Sequence, residues 1–199
     1  MACNINGGSN SRVHAKVAAG GTIEAHYEQT VPIPEANYDG TPMVVDLPFL
    51  WGHEWGPMTA YLADCKGSCD AVDVNDGVRR WFKVDEGGLL NGTAMSGRWK
   101  QRDLVEGLPW SVKIPKRLKP GFYLIRHEVL VVHTVPNQWY VECAQIEVTG
   151  SGTEAPAAGE LVSFPGAYDP KGKFGLSNSI AARQIFSWAF VLTCARSYL

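Results

Sequence analysis

The chain has 199 residues, a formal net charge of −2, 45% hydrophobic and 19% charged residues. That length and balance suit one globular domain with a sizeable core and exclude a disordered chain. The near-neutral charge excludes a basic nucleic-acid groove and a polybasic membrane patch, so neither nucleic acid nor membrane is expected as a partner.

The chain reads as short strands separated by Gly, Pro, Asn and Asp. Val13-His14-Ala15-Lys16-Val17 and Thr22-Ile23-Glu24-Ala25-His26-Tyr27 alternate with period two, as half-buried strands do. Residues 30–48 are Pro-rich and polar, a loop. Met58 to Leu62 and Trp81 to Val84 follow as strands, the second ending in a turn at Asp85-Glu86-Gly87-Gly88. Ser111 to Pro115 alternates like an edge strand. Lys119-Pro120-Gly121 turns the chain into Phe122 to His133, the most strand-like run present, and Gln138 to Val148 is its neighbour. Residues 149–160 read as a flexible connector. Ser179 to Ala195 reads as an apolar helix, unusual on an all-β domain. Regular short strands with turn signals predict a β-sandwich, and no apolar run approaches a membrane span.

Five cysteines are present: Cys3, Cys65, Cys69, Cys143 and Cys194. Cys65-Lys-Gly-Ser-Cys69 suits a local disulfide better than zinc, because no second Cys or His pair sits near it. A Cys3–Cys143 bridge would close a very long loop, worth roughly 4–5 kcal/mol against about 2 for the short one. Asn91-Gly92-Thr93 is an N-glycosylation sequon. Disulfides and sequon together suggest secretion. Met1-Ala2-Cys3-Asn4 nevertheless runs straight into a Gly-rich turn, with no signal peptide. Read literally the chain is cytosolic; the other reading is a start at an internal Met of a longer secreted precursor.

Seven Trp and seven Tyr are many for this size. Most should serve the core, although flat exposed aromatics also stack on sugars. Among the five histidines, His14 and His26 sit at alternating strand positions with nothing distinctive around them. His53 lies in Trp51-Gly52-His53-Glu54-Trp55-Gly56-Pro57, a rigid loop on a strand scaffold and a usual place for a metal ligand. His127 and His133 are six apart in one strand, which puts both on the face of Val129 and Val131. Gln138 and Tyr140 share a face of the next strand. Two strands could therefore present His, Gln and Tyr to one patch, with Tyr as a weak axial ligand to copper and Gln and His holding a small oxygen species. On spacing alone, a polar and aromatic cluster without metal is the simpler reading. Glu24, Glu28, Glu54, Asp64, Asp85, Glu86 and Glu128 are candidates for a glycosidase pair, but no spacing selects two of them.

Taken together and in order, several segments resemble the cellulose-active fungal lytic polysaccharide monooxygenases, auxiliary activity family 9, once filed as glycoside hydrolase family 61. They are Met1 to Asn4, Gly52-His53 through Gly56-Pro57, Tyr61 to Cys65, Trp81 to Glu86, Lys119 to Glu128, Gln138 to Cys143, and Phe164 to Tyr168. The resemblance covers residues 1–168, taken as a monooxygenase-like domain, with 169–199 as an atypical tail whose helix is non-native.

The resemblance implies an all-β, immunoglobulin-like or fibronectin-III-like sandwich with long loops. It implies one copper held by a histidine brace, the amino group and ring of an N-terminal His plus a second His that maps to His53. The axial Tyr maps to Tyr140, and the His and Gln beside the oxygen site map to His133 and Gln138. The family's disulfides map to Cys3–Cys143 and Cys65–Cys69. The implied reaction is oxidative cleavage of cellulose or another β-1,4-glucan by hydroxylation at C1, C4 or both. O2 or H2O2 is the co-substrate and an external donor supplies electrons. The implied protein is a secreted, extracellular monomer with a flat face for crystalline cellulose.

The chain departs from that pattern in three places. The family's N-terminal His and at least one strand precede the Cys-Asn segment and are absent from this sequence, which leaves His53 as half a brace. Only Thr134-Val135-Pro136-Asn137 separates His133 from Gln138, where the family has a longer, Gly-containing loop. Residues 169–199 do not follow the family's usual ending. The alternative to an oxidative enzyme is a truncated, catalytically inactive glucan-binding β-sandwich.

Overall fold

The computed structural model describes residues 2–3, 13–29, 49–134 and 136–168. The expected helix at 179–195, Cys194 and the whole 30–48 loop lie outside the described residues. In chain order the strands are β1 (Ala15–Ala18), β2 (Thr22–Ala25), β3 (Glu28–Gln29), β4 (Phe49–Leu50), β5 (Met58–Asp64), β6 (Trp81–Gly87), β7 (Leu89–Asn91), β8 (Arg98–Trp99), β9 (Trp110–Lys113), β10 (Gly121–Val131) and β11 (Gln138–Thr149). One short α-helix, α1 (Arg102–Val105), lies between β8 and β9. The all-β expectation holds. Among the described residues, no helix is long and apolar enough to cross a membrane.

The main sheet has five strands in the order β1-β11-β10-β5-β6; β1 runs parallel to β11 and the other pairs are antiparallel. Its central strand, β10, is covered on both faces, so it is buried from Tyr123 to Val131. Tyr123, Ile125 and Val129 pack with Leu62, Met58, Phe82 and Ile146 against Trp110 and Val112 of the β2–β9 ribbon and Ile114 just after it, forming the sandwich core. Leu124 faces the other way, into a second cluster with Ala2, Tyr61, Trp81 and Phe164.

A buried ion pair stands in that second layer. Arg126 and Glu128 lie 2.6 Å apart, and their side chains are 2% and 4% exposed. Thr59 and Tyr168 donate to Glu128 at 3.0 and 2.5 Å. Arg126 donates to the Ala2 carbonyl at 2.6 Å and lies over the Phe164 ring, 3.9 Å from its centroid. Here the charges are matched by hydrogen bonds on several sides, the condition under which a buried pair is tolerated. The disulfides Cys3–Cys143 and Cys65–Cys69 close the same region.

Three expectations change. Asp85 to Gly87 do not turn but continue β6, paired with Met58 to Ala60; a bulge at Ala60/Tyr61 absorbs Val84 as an extra residue. Residues 149–160 are not a free tether. Glu154 pairs with Arg117 at 2.6 Å, and its backbone exchanges hydrogen bonds with Arg117 and Lys119 at 2.9 and 2.8 Å. Backbone partners, rather than side-chain burial, fix this Gly-rich stretch, so composition conceals its order. Finally, β10 stops at Val131, so strand alternation from His127 does not carry through to His133.

Candidate functional site

The site forms at one end of the sandwich, where residues 51–57 cross the end of β10. Two backbone bonds clamp this loop: Leu130 N donates to Pro57 O at 3.0 Å and Val132 N to Trp55 O at 3.1 Å. Gly56 makes the approach possible. Its φ is +147°, and a Cβ there would lie 1.7 Å from the Leu130 carbonyl oxygen. On the outer side, Glu54 pairs with Arg102 of α1 at 2.5 Å.

The clamp brings His53 over the start of β11. There Gln138 and Tyr140 stand opposite Val131 and Val129 of β10, on one face as their spacing requires. The Tyr140 hydroxyl lies 3.2 Å from His53 Nε2 and donates to Gln138 Oε1 at 3.2 Å. On the other side of the ring, His53 Nδ1 is 3.4 Å from His133 Nε2. His53, His133, Gln138 and Tyr140 therefore form one continuous polar chain. His133 reaches it from the bend after β10. Burial first, and the neighbouring His133 second, hold His53 below the usual histidine range.

Tryptophans frame this chain. The Trp51 ring meets Tyr140 edge-on at 4.8 Å and His53 at 5.4 Å. Tyr27 stands behind Trp51 at 5.5 Å, and burial pushes its phenol well above the usual tyrosine range. Trp55 meets His133 edge-on at 5.3 Å. Sequence reasoning did not assign these rings to the site, although Trp at two residues before and two after His53 was the available signal.

The remaining candidates fall elsewhere. His127 is buried in the core, T-shaped against Trp110 at 4.9 Å, and burial lowers its pKa to about 4. His14 packs at a tilt against Phe122, ring centroids 4.7 Å apart, and His26 is half exposed near Glu24. Four of the acidic candidates are engaged with other partners. Glu128 is bound to Arg126, Glu54 to Arg102 and Asp64 to Lys66, while Asp85 accepts from Trp110 Nε1 at 2.7 Å. Among the described residues, no group of three or more His, Cys, Asp or Glu side chains converges. Asn91 is exposed at the end of β7.

Comparison with known proteins places this arrangement in context. The chain is 39% identical over 171 residues to the AA9 family lytic polysaccharide monooxygenase-like protein CEL1 of Agaricus bisporus, covering 84% of this chain and 47% of that protein. It is 37% identical over 172 residues to AA9 family lytic polysaccharide monooxygenase B of Heterobasidion irregulare, covering 84% and 61%. The chain thus spans about half to three fifths of the length of these curated relatives. The crystal structure of HiLPMO9B superposes with a TM-score of 0.73 at 33% identity, over 92% of this chain and 72% of that one. A cellulose-active polysaccharide monooxygenase from M. thermophila superposes at 0.63 and 34% identity, over 80% and 64%. The model of Auxiliary Activity family 9 (formerly GH61) matches residues 1–185, and the chain belongs to that family.

Proposed function

We propose that this chain carries most of the copper site of a secreted, monomeric monooxygenase. Its substrate is cellulose or a related β-1,4-glucan, cleaved oxidatively by hydroxylation at C1, C4 or both. One observation carries the reading: His53 Nε2 and Tyr140 Oη converge to 3.2 Å at the sandwich end, with Gln138 and His133 directly behind them. Family membership and the likeness to a structure described as cellulose-active supply the substrate class.

The donor set fits copper. Imidazole nitrogen suits the metal in both oxidation states, and a phenol oxygen would add a weak further donor. His53 would bind through Nε2 and Tyr140 through Oη, and the N-terminal histidine that the family resemblance implies would complete the brace. Copper bound there would supply one-electron redox chemistry, with an external electron donor and with O2 or H2O2 as co-substrate.

The protein's own contribution is orientation. The edge of Trp51 fixes the Tyr140 ring, and the hydroxyl hydrogen is spent on Gln138, so an oxygen lone pair remains toward His53. Gln138 and His133 would hold the oxygen co-substrate by hydrogen bonds, and the His133 imidazole would supply protons to it.

The test is incubation with cellulose, with and without a reductant. Oxidised oligosaccharides released only with reductant support the reading. Reducing-end products released without reductant would show hydrolysis instead. Adsorption to cellulose with no released product would favour a non-catalytic glucan-binding domain.

A further inference from the structure

We propose that Asn91 carries an N-linked glycan whose first N-acetylglucosamine lies over Leu90 and holds the β7–β8 hairpin closed. The sequon is a feature of the sequence; the fold adds the apolar neighbour and the element that the sugar braces. The proposal goes beyond the copper reading and does not depend on it.

The hairpin has one side turned in and one turned out. Leu89, Ala94 and Trp99 pack with Leu130, Val132, Trp55 and Trp139. Trp99 Nε1 also donates to the Ala94 carbonyl at 2.9 Å. Plain strand alternation would put Asn91 on the inward side with Leu89, because residues two apart share a face. The register shifts instead. Leu89 pairs with Trp99 and Asn91 with Arg98, which leaves Leu90 as an extra residue. Such a bulge re-aims the side chains beside it. Here Leu90 is 57% exposed and Asn91 is exposed next to it. The chain therefore presents an apolar side chain and a glycosylatable amide side by side, both to solvent.

The turn that follows fixes the position of Asn91. Gly92 has a φ of +79°, and a Cβ there would lie 2.7 Å from Gly97 Cα. The two ends of the turn thus pinch together at a residue that must be glycine. A sequon accepts any middle residue except proline, so Gly92 serves the turn without spoiling the sequon. Gly97 N donates to Thr93 O at 2.6 Å, and the Thr93 and Ser96 hydroxyls lie 2.7 Å apart. Among the described residues the Asn91 side-chain amide has no hydrogen-bond partner, so substituting it breaks no contact. In the modification Nδ2 loses one proton and bonds to the anomeric carbon of the sugar, while the pyrophosphate of a lipid-linked oligosaccharide leaves. The C–H groups of the attached ring then cover Leu90 and remove apolar surface from water.

For the test, the chain is secreted from a eukaryotic host behind a leader peptide. Hydrogen exchange reads the hairpin at the Gly97 and Lys100 amides, which bond Thr93 O and Gly88 O at 2.6 and 2.9 Å. Intact mass should show one glycan on Asn91. Trimming with an endoglycosidase that leaves the first sugar should not change the exchange. Asn91→Gln should speed it about five-fold. Leu90→Ser with the glycan still attached should speed it as much. In the Asn91→Gln background Leu90→Ser should change it by less than about two-fold, because the contact is already gone. A glycan acting through bulk alone would lose its effect on trimming and would not sense Leu90. The proposal is overturned if secreted protein leaves Asn91 unmodified, or if the trimmed form exchanges like Asn91→Gln. It is equally overturned if Leu90→Ser has the same effect with and without the sugar.

Discussion

Replacing Gly56 with Ala tests whether the loop carrying His53 is positioned by close backbone contact. The new Cβ would fall 1.7 Å from the Leu130 carbonyl oxygen and 2.9 Å from Gln101 Oε1. Backbone blocks the first contact, so the loop must lift by about 1.5 Å to reach ordinary separation. That movement breaks the Leu130–Pro57 and Val132–Trp55 hydrogen bonds, 3.0 and 3.1 Å long. At about 1 kcal/mol each, with about 1–2 more for a side chain at φ +147°, the loss is about 3–4 kcal/mol. For a chain of this length that is a fall of about 10 °C in melting temperature. Thermal unfolding followed by near-UV circular dichroism would read it, because Trp55 packs with Trp139 and Trp99 beside this loop. Lifting His53 should also open its contact with Tyr140 and weaken copper binding. A variant melting within about 2 °C of wild type, with unchanged copper affinity, would refute the clamp.

Breaking the Arg126–Glu128 pair by Glu128→Ala strands a guanidinium that is 2% exposed, at a cost of about 3–5 kcal/mol in denaturant unfolding; the double change Arg126→Met with Glu128→Leu should cost less than the single one. His127 gives a pH signature. Its pKa falls from 6.5 to about 4 on burial, so the unfolded chain binds more protons between those values and stability rises with pH there. The contribution, about 3 kcal/mol, is fully present above the unfolded value and is lost as pH falls to about 4. His127→Phe should flatten that slope in urea titrations, and an unchanged slope would refute the assignment. In a eukaryotic secretory host, Asn91→Gln should remove one glycan from the intact mass, since the sequon is exposed at the end of β7.

The strands were legible wherever side-chain alternation or a long apolar run dictated them: β5, β10 and β11 fall close to their expected positions. Elements built on backbone partners were not. The 149–160 segment is ordered by pairing of Glu154 with Arg117 and Lys119, and Asp85 to Gly87 continue a strand through residues that usually turn. Of the site, Gln138 and Tyr140 could be read together because strand period alone places them. His53 was legible as a loop histidine, but its contact with Tyr140 depends on how the 51–57 loop docks on β10, a tertiary fact. His133 was assigned to a strand face, whereas a bend after Val131 delivers it. Trp51 and Trp55 were visible beside His53, yet nothing local distinguishes a framing ring from a core one.

Anomalous diffraction at the copper edge, from crystals grown with copper, tests the central claim most directly. The account predicts one peak at a metal–nitrogen bond length of about 2 Å from His53 Nε2, on the side facing Tyr140. A copper peak elsewhere, or none while His53 Nε2 still rests against the Tyr140 hydroxyl, would contradict it.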